Sequence, residues 1–288
     1  MCNFVIFTDS ACDMKSEVLS KWGVLDIQLS FRFDGEDREY LNCDMEIDEF
    51  YNRMKKGSVA KTSAVNPEGF KAAFEDVLKE GKDILYIGFS SGLSTTCNSS
   101  KIAAQELSES YPDRKIVIVD TLAASAGQGM LVYFAVNKKN EGASLEETAS
   151  YIEGIKLNLC HWFTVDDLVY LKRGGRVSPA VALVGKALGI KPIMHVDDDG
   201  KLIKTGTIRG RRASIEALAN KYFELAKTPD KGTIFISCAD CVSDAQLLAD
   251  MIKAKGGAET EIITDVGTVI GAHSGPGTLA LFFVGKER

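Results

Sequence analysis

The segment Gly88-Phe89-Ser90-Ser91-Gly92 matches the GxSxG pattern of a hydrolase nucleophile, and its neighbours predict the strand–turn–helix setting that pattern requires. Asp265 and His273 follow in the chain order of an α/β-hydrolase triad, so a serine esterase built on Ser90 is one reading. A second reading makes the same loop a recognition surface. Ser90, Ser91, Ser94, Thr95 and Thr96 crowd one turn at the start of a helix. Hydroxyls, free backbone N–H groups and a positive dipole end together suit an anion such as a carboxylate. Thr62 and Ser63 precede another helix and could face the same crevice, which in open α/β sheets lies outside the carboxyl ends of the strands. The plainest reading leaves all of these as cap and turn hydroxyls.

Two further constellations stand out. His273-Ser274-Gly275-Pro276-Gly277 is a tight loop ahead of an apolar run, and its imidazole serves equally as a structural group or a ligand contact. Leu171-Lys172-Arg173-Gly174-Gly175-Arg176 sets three cations around a glycine pair. It is either a solvated helix end or a docking patch, carried by Arg173 and Arg176, for a partner that handles phosphate. Other chemistries lack their residues. There is no GxxxxGKS/T loop, Gly127-Gln128-Gly129 meets Val132 where GxGxxG needs its third glycine, and Cys238-Ala239-Asp240-Cys241 has no second ligand pair for zinc.

The elements that must position these residues alternate between strand and helix. Val5–Thr8, Ile84–Phe89 and Ile116–Val119 are continuous apolar runs of the kind buried on both faces of a parallel sheet. Asn66-Pro67 opens a helix whose Phe70, Ala73, Phe74, Val77 and Leu78 share one face, and which Gly81 ends. Ser144 and Glu147 form a capping box for another helix, and Phe31–Tyr40 reads as a hairpin around Asp34-Gly35. In the second half, Ile193–Val196 and Leu202–Ile208 flank the turn signal Asp197-Asp198-Asp199-Gly200, which brings antiparallel pairing into the sheet. A helix from Arg211 to Ala226 and strands at Ile234–Ser237, Glu261–Thr264 and Leu279–Val284 complete the pattern.

A chain of 288 residues exceeds what one core usually serves, so we expect two α/β domains. Residues 1–160 form a Rossmann-like parallel-sheet unit with the carboxylate-binding loops, and residues 161–288 a mixed-sheet unit. A net charge of −6, with a pI near 5.3, argues against a nucleic-acid partner, which needs a basic surface. No apolar run is long enough to span a bilayer, and the start lacks the basic and apolar stretches of a signal peptide. Seven scattered cysteines fit a reducing compartment, so a cytoplasmic location is expected.

Taken in order, Thr8-Asp9-Ser10, Lys61-Thr62-Ser63, Ser91-Gly92-Leu93-Ser94-Thr95-Thr96, Asp120-Thr121, Leu171–Arg176, Lys191-Pro192-Ile193 and His273–Gly277 resemble the DegV family of fatty-acid-binding proteins, nearly end to end. The resemblance implies a carrier that buries one long-chain fatty acid between two lobes, with no catalytic residue and no cofactor. Thr62 and Ser94 would hold the carboxylate, with His273 and Arg173 near the mouth. It further implies presentation of the carboxyl group to a separate ATP-dependent fatty acid kinase subunit. A lipid-sensing regulatory protein without that partner would share every one of these residues. The tunnel itself is not marked by any motif. Val181-Ala182-Leu183-Val184 could line it or could equally be core.

Overall fold

Strand β1 (Phe4–Asp9) alternates its side chains between two cores, as a strand buried on both faces must. Phe4 and Ile6 enter one core and Phe7 the other. It lies in a four-stranded parallel sheet with β2 (Val24–Ile27), β6 (Asp83–Gly88) and β7 (Ile116–Asp120), in the order β2-β1-β6-β7. Helices α3 (Pro67–Lys79) and α4 (Thr96–Ser110) cover one face, while α1 (Ser16–Trp22), α5 (Ala126–Asn140) and α6 (Leu145–Ile155) cover the other. Local signals start these helices as expected. The Asn66 side chain accepts from Gly69 N ahead of Pro67, and Ser144 with Glu147 makes both bonds of a capping box. The computed structural model describes residues 3–182 and 189–288.

The second sheet has six strands in the order β10-β9-β8-β13-β11-β12. They are β8 (Leu159–Thr164), β9 (Ile190–Val196), β10 (Leu202–Arg209), β11 (Ile234–Cys238), β12 (Thr260–Asp265) and β13 (Leu279–Val284). Its pairs are antiparallel except β11 with β12, so the sheet is mixed, with the expected β9–β10 hairpin at one edge. The sheet begins at Leu159, so β8 crosses the division expected at residue 160. Helices α9 (Arg211–Leu225) and α10 (Val242–Ala254) bury Leu218, Tyr222, Leu248 and Ile252 against its outer face.

Helix α5 covers the inner face. It carries no amphipathic pattern because it is buried all round, from Gly127 through Leu131 to Val136. One core runs continuously from Ile6 and Leu85 in the first sheet, through Met130 and Val132, to Phe163, Phe235 and Phe282 in the second. Two glycines allow the close approach. A Cβ at Gly127 would lie 2.6 Å from the His161 ring, and one at Gly129 would lie 2.8 Å from Met14. Gly127-Gln128-Gly129 is thus a packing device between two sheets.

A third element was only partly legible. Strands β3 (Ser30–Phe33) and β4 (Tyr40–Leu41) pair as the expected hairpin, and β5 (Ala60–Ser63) joins β3 on its other side. This small sheet and α2 (Ile47–Lys55) bury Phe31, Phe33, Phe50 and Tyr51 against α11 (Thr268–Ser274) and the residues just before it. Short helices α7 (Val169–Arg173) and α8 (Pro179–Ala182) complete the elements named here. Of the possible tunnel segment 181–184, Leu183 and Val184 lie outside the described residues, and the side chains of Val181 and Ala182 with them. Among the described residues no helix is long and apolar enough to cross a membrane.

Candidate functional site

Strand order in the first sheet reverses between β1 and β6, and ligands of open sheets bind at the carboxyl ends of strands beside such a reversal. The loops there are held from below. The Asp9 carboxylate accepts from Ala11 N at 3.1 Å, Phe89 N at 2.9 Å, Gln128 Nε2 at 3.1 Å and the Tyr86 hydroxyl at 2.5 Å. Ser10 Oγ accepts from Leu29 N, and Asp120 Oδ1 accepts from both Ser91 N and Leu122 N. These bonds, buried at Asp9 and Ser10 and more exposed at Asp120, fix the loops that follow each strand.

A cavity of about 530 Å³ opens there between the two sheets. Thr62, Ser63, Ser91, Ser94 and His273, all expected at a ligand site, line it together. Thr62 Oγ1 and His273 Nε2 are 2.8 Å apart, joining β5 to α11. Ser94 Oγ accepts from Thr96 N at 3.2 Å and lies 2.9 Å from Thr96 Oγ1, so this cavity-lining residue also fixes the turn that leads into α4. Burial, with the Arg176 charge adding to it, pushes the His273 pKa down to about 4, so the imidazole is neutral at pH 7. Its Nδ1 faces Gly174, where a Cβ would lie 2.0 Å away. Gly175, next in the chain, has φ 73°, the left-handed region. The glycine pair of Leu171–Arg176 therefore has two separate tasks: room for an imidazole, then a left-handed turn.

The two arginines of that segment part company. Arg173 is exposed, its guanidinium 5.8 Å from the Tyr170 ring centre. Arg176, expected beside it on a docking patch, turns inward and lines the cavity. Its Nε and Nη2 donate to the Leu93 carbonyl at 3.1 and 2.9 Å, and Nη1 donates to the Gly174 carbonyl. No carboxylate pairs with it among the described residues. A half-buried cation held only by neutral carbonyls makes the mouth attractive to an anion.

The esterase triad does not assemble. Ser90 is fully buried, donating to the Gly200 carbonyl at 2.9 Å and accepting from Gly92 N at 3.1 Å. Asp265 pairs with Lys15 at 3.4 Å, and His273 is engaged by Thr62. The GxSxG match arises because the turn of the β9–β10 hairpin packs on this loop. A Cβ at Gly92 would lie 2.5 Å from the Asp199 carbonyl oxygen, and one at Gly200 would lie 2.2 Å from Ser90 Oγ. Small residues are what this contact demands. Cys238 and Cys241 end β11 and open α10 as free thiols, and no metal-binding cluster exists among the described residues.

The same cavity is also lined by apolar side chains, among them Leu29, Phe89, Phe163, Val269, Ala280 and Phe282. Four polar residues of the lining, His161, Ser125, Ser237 and Thr278, escaped sequence reasoning. The signal available was period two along β8, whose inward-facing series reads Leu159, His161, Phe163.

These features define a class: a two-sheet α/β protein enclosing an apolar chamber whose mouth offers hydroxyls and an unpaired cation. The chain belongs to the DegV family, whose model, described as "Uncharacterised protein, DegV family", matches residues 3–286. A DegV domain-containing protein of Clostridium perfringens is 45% identical over all of this chain and 99% of its own length. Among solved structures, a DegV family protein of Thermus thermophilus, described as binding fatty acid, superposes with a TM-score of 0.88 at 28% identity. That match covers 98% of this chain and 99% of the other. A DegV lipid-binding protein of Thermotoga maritima gives 0.86 at 29% identity, with both chains fully covered.

Proposed function

We propose that this protein binds a long-chain fatty acid, holding the carboxylate at the mouth and the tail in the chamber, and acts as a carrier. The observation that carries this reading is one cavity in which Thr62, Ser94, His273 and Arg176 share the lining with phenylalanine and aliphatic side chains. Burying the tail contributes about 0.8 kcal/mol per methylene before ordering costs. A hydrogen bond to the charged head contributes about 1.5–3 kcal/mol before desolvation is set against it. Affinity therefore resides mainly in the tail, and the mouth decides which end points outward. The solved relatives described as binding fatty acid or lipid support the same ligand class.

In this reading the bound carboxyl group is presented to a separate ATP-dependent fatty acid kinase subunit, for which Arg173 is the docking cation. Its exposure, beside a mouth whose other arginine is committed inward, supports that role. The test is mass spectrometry of lipid released from the purified protein, followed by variants. Thr62→Ala with Ser94→Ala should cut acyl-phosphate formation at least tenfold while the protein still co-purifies with lipid, since each lost charge-assisted bond is worth about 1.5 kcal/mol or more. Arg173→Ala should slow phosphorylation with lipid retained. Absence of lipid sinks the carrier reading. An unchanged phosphorylation rate in the Arg173 variant removes that residue from the partner surface.

A further inference from the structure

We infer that Asn42, which does not itself line the chamber, is a positioning residue: it caps α11 from across the fold and so fixes where that helix holds His273 against Thr62. The inference rests on the fatty-acid reading above and adds to it the side chain that sets the head-group end.

Helix α11 has seven residues, too few to hold its shape alone, since isolated helices shorter than about 12 residues are marginal in water. Its N-cap is Gly267, which has no side chain to satisfy the first turn. Asn42 supplies one from 227 positions away. Its Oδ1 accepts from Val269 N at 3.0 Å, the bond an N-cap side chain ordinarily takes, and from Thr268 Oγ1 at 3.0 Å. Asp13 Oδ1 accepts from Gly267 N at 3.0 Å, and the Tyr51 hydroxyl donates to the Val266 carbonyl at 2.6 Å. Glycine suits position 267 because a Cβ there would lie 2.8 Å from Asp13 Oδ1 and 3.2 Å from both Nδ2 and Oδ1 of Asn42. Val269 is buried, so removing the Asn42 side chain leaves its N–H short of a partner in a buried setting.

The same small sheet holds the other end of α11. Its strands lie in the order β4-β3-β5, with Phe31 between Tyr40 on one side and Thr62 on the other. Asn42 follows β4 directly, and its N–H donates to the Leu29 carbonyl at 3.0 Å, which ties it to the sheet. Thr62 belongs to β5, and its Oγ1 is 2.8 Å from His273 Nε2. One edge of the sheet therefore grips the first turn of α11 and the opposite edge meets its last, with Phe31, Val266 and Ala272 in a shared core. His273 Nδ1 lies against Gly174, where even a Cβ would meet it at 2.0 Å. An imidazole confined this closely tolerates little drift of the helix that carries it, so its contact with Thr62 depends on where α11 starts.

The test compares full-length wild type with Asn42→Ala and with Asn42→Asp, which keeps an acceptor oxygen at the same reach. In ¹⁵N-labelled protein at pH 7, one fixed tautomer of His273 gives two well-separated ring-nitrogen resonances, assigned by their loss in His273→Gln. In Asn42→Ala the two should draw together as the imidazole exchanges tautomers, and Asn42→Asp should keep them apart. In delipidated protein, competition against a fluorescent fatty acid should show octadecanoic acid bound about three- to tenfold more weakly by Asn42→Ala, with octadecanol unchanged. Asn42→Asp should restore the acid. Unmoved His273 resonances, or equal loss for acid and alcohol, overturns the positioning role and leaves the carrier intact. A wild type that binds neither lipid removes the carrier, and the imidazole resonances then decide the positioning role alone. Should Asn42→Ala fail to fold, Thr268→Val, which removes one of the two bonds to Asn42 Oδ1, carries the same comparison.

Discussion

Asp13 shows how one buried side chain contributes to the pH dependence of stability. Burial, set against bonds from Ser125 and Gly267 N, pushes its pKa from 3.8 to about 8. The native state then holds a proton that the unfolded chain has released, so stability falls as pH rises from about 4 to about 8, by at most roughly 1.4 kcal/mol per pH unit. His273 works in the opposite sense. Its value near 4 lies below the unfolded 6.5, so its contribution is present above 6.5 and is lost as pH falls towards 4. The two oppose each other between pH 4 and 6.5, and above 6.5 His273 no longer offsets the loss from Asp13. Asn keeps the shape of the protonated acid and tolerates the φ of 54°. Asp13→Asn should therefore raise the melting temperature relative to wild type above pH 8, with the advantage shrinking steadily on acidification. A pH-independent difference would show that Asp13 does not titrate in this range. None of this was legible in the sequence, where Asp13 is one acid among many. Its Ser125 partner lies 112 positions away. Arg176 likewise reads as a surface cation until its guanidinium is seen on the Leu93 carbonyl, 83 positions distant.

At the scale of elements, local signals carried the reading far. Apolar runs marked β1, β6 and β7, Asn66-Pro67 opened α3, and Ser144 with Glu147 opened α6, because each signal acts within a few residues. Helix α5 was harder to see: a helix packed on both sides shows no stripe, so no period betrays it. The small sheet was half visible for a related reason, since β5 pairs with β3 across an intervening helix. The contact between the loop after β6 and the hairpin turn gives a sharp prediction. Gly92→Ala places a methyl group against the Asp199 and Gly200 carbonyls, both rigid backbone, and should cost about 1–3 kcal/mol in chemical denaturation. Gly154→Ala, at an exposed helical position with open space around it, should instead stabilise by up to about 1 kcal/mol. Equal effects from the two substitutions would remove the close approach as the reason for Gly92.

For the molecule as a whole, the site exists because two sheets meet over one helix. Thr62, Ser94 and Arg176 come from three separate stretches of chain; the resemblance of ordered motifs, more than any single spacing, pointed to the first two, whereas Arg176 was expected on a docking patch. Arg288 adds a clasp on the same seam, its guanidinium donating to the Leu159, Leu122, Asp197 and Lys156 carbonyls. Since Met130, Leu131 and Val132 belong to a core shared by both sheets, the chain should melt in one transition, with calorimetric and van't Hoff enthalpies agreeing. Two resolved transitions would contradict the shared core.

The all-round burial of α5 also bears on how such a protein is dismantled. Cut anywhere between the sheets, each fragment would inherit either a helix with one greasy flank bare or a sheet with its inner face stripped, and neither could stand in water. Digestion should accordingly pass from intact chain to small peptides without a lasting half-sized remnant.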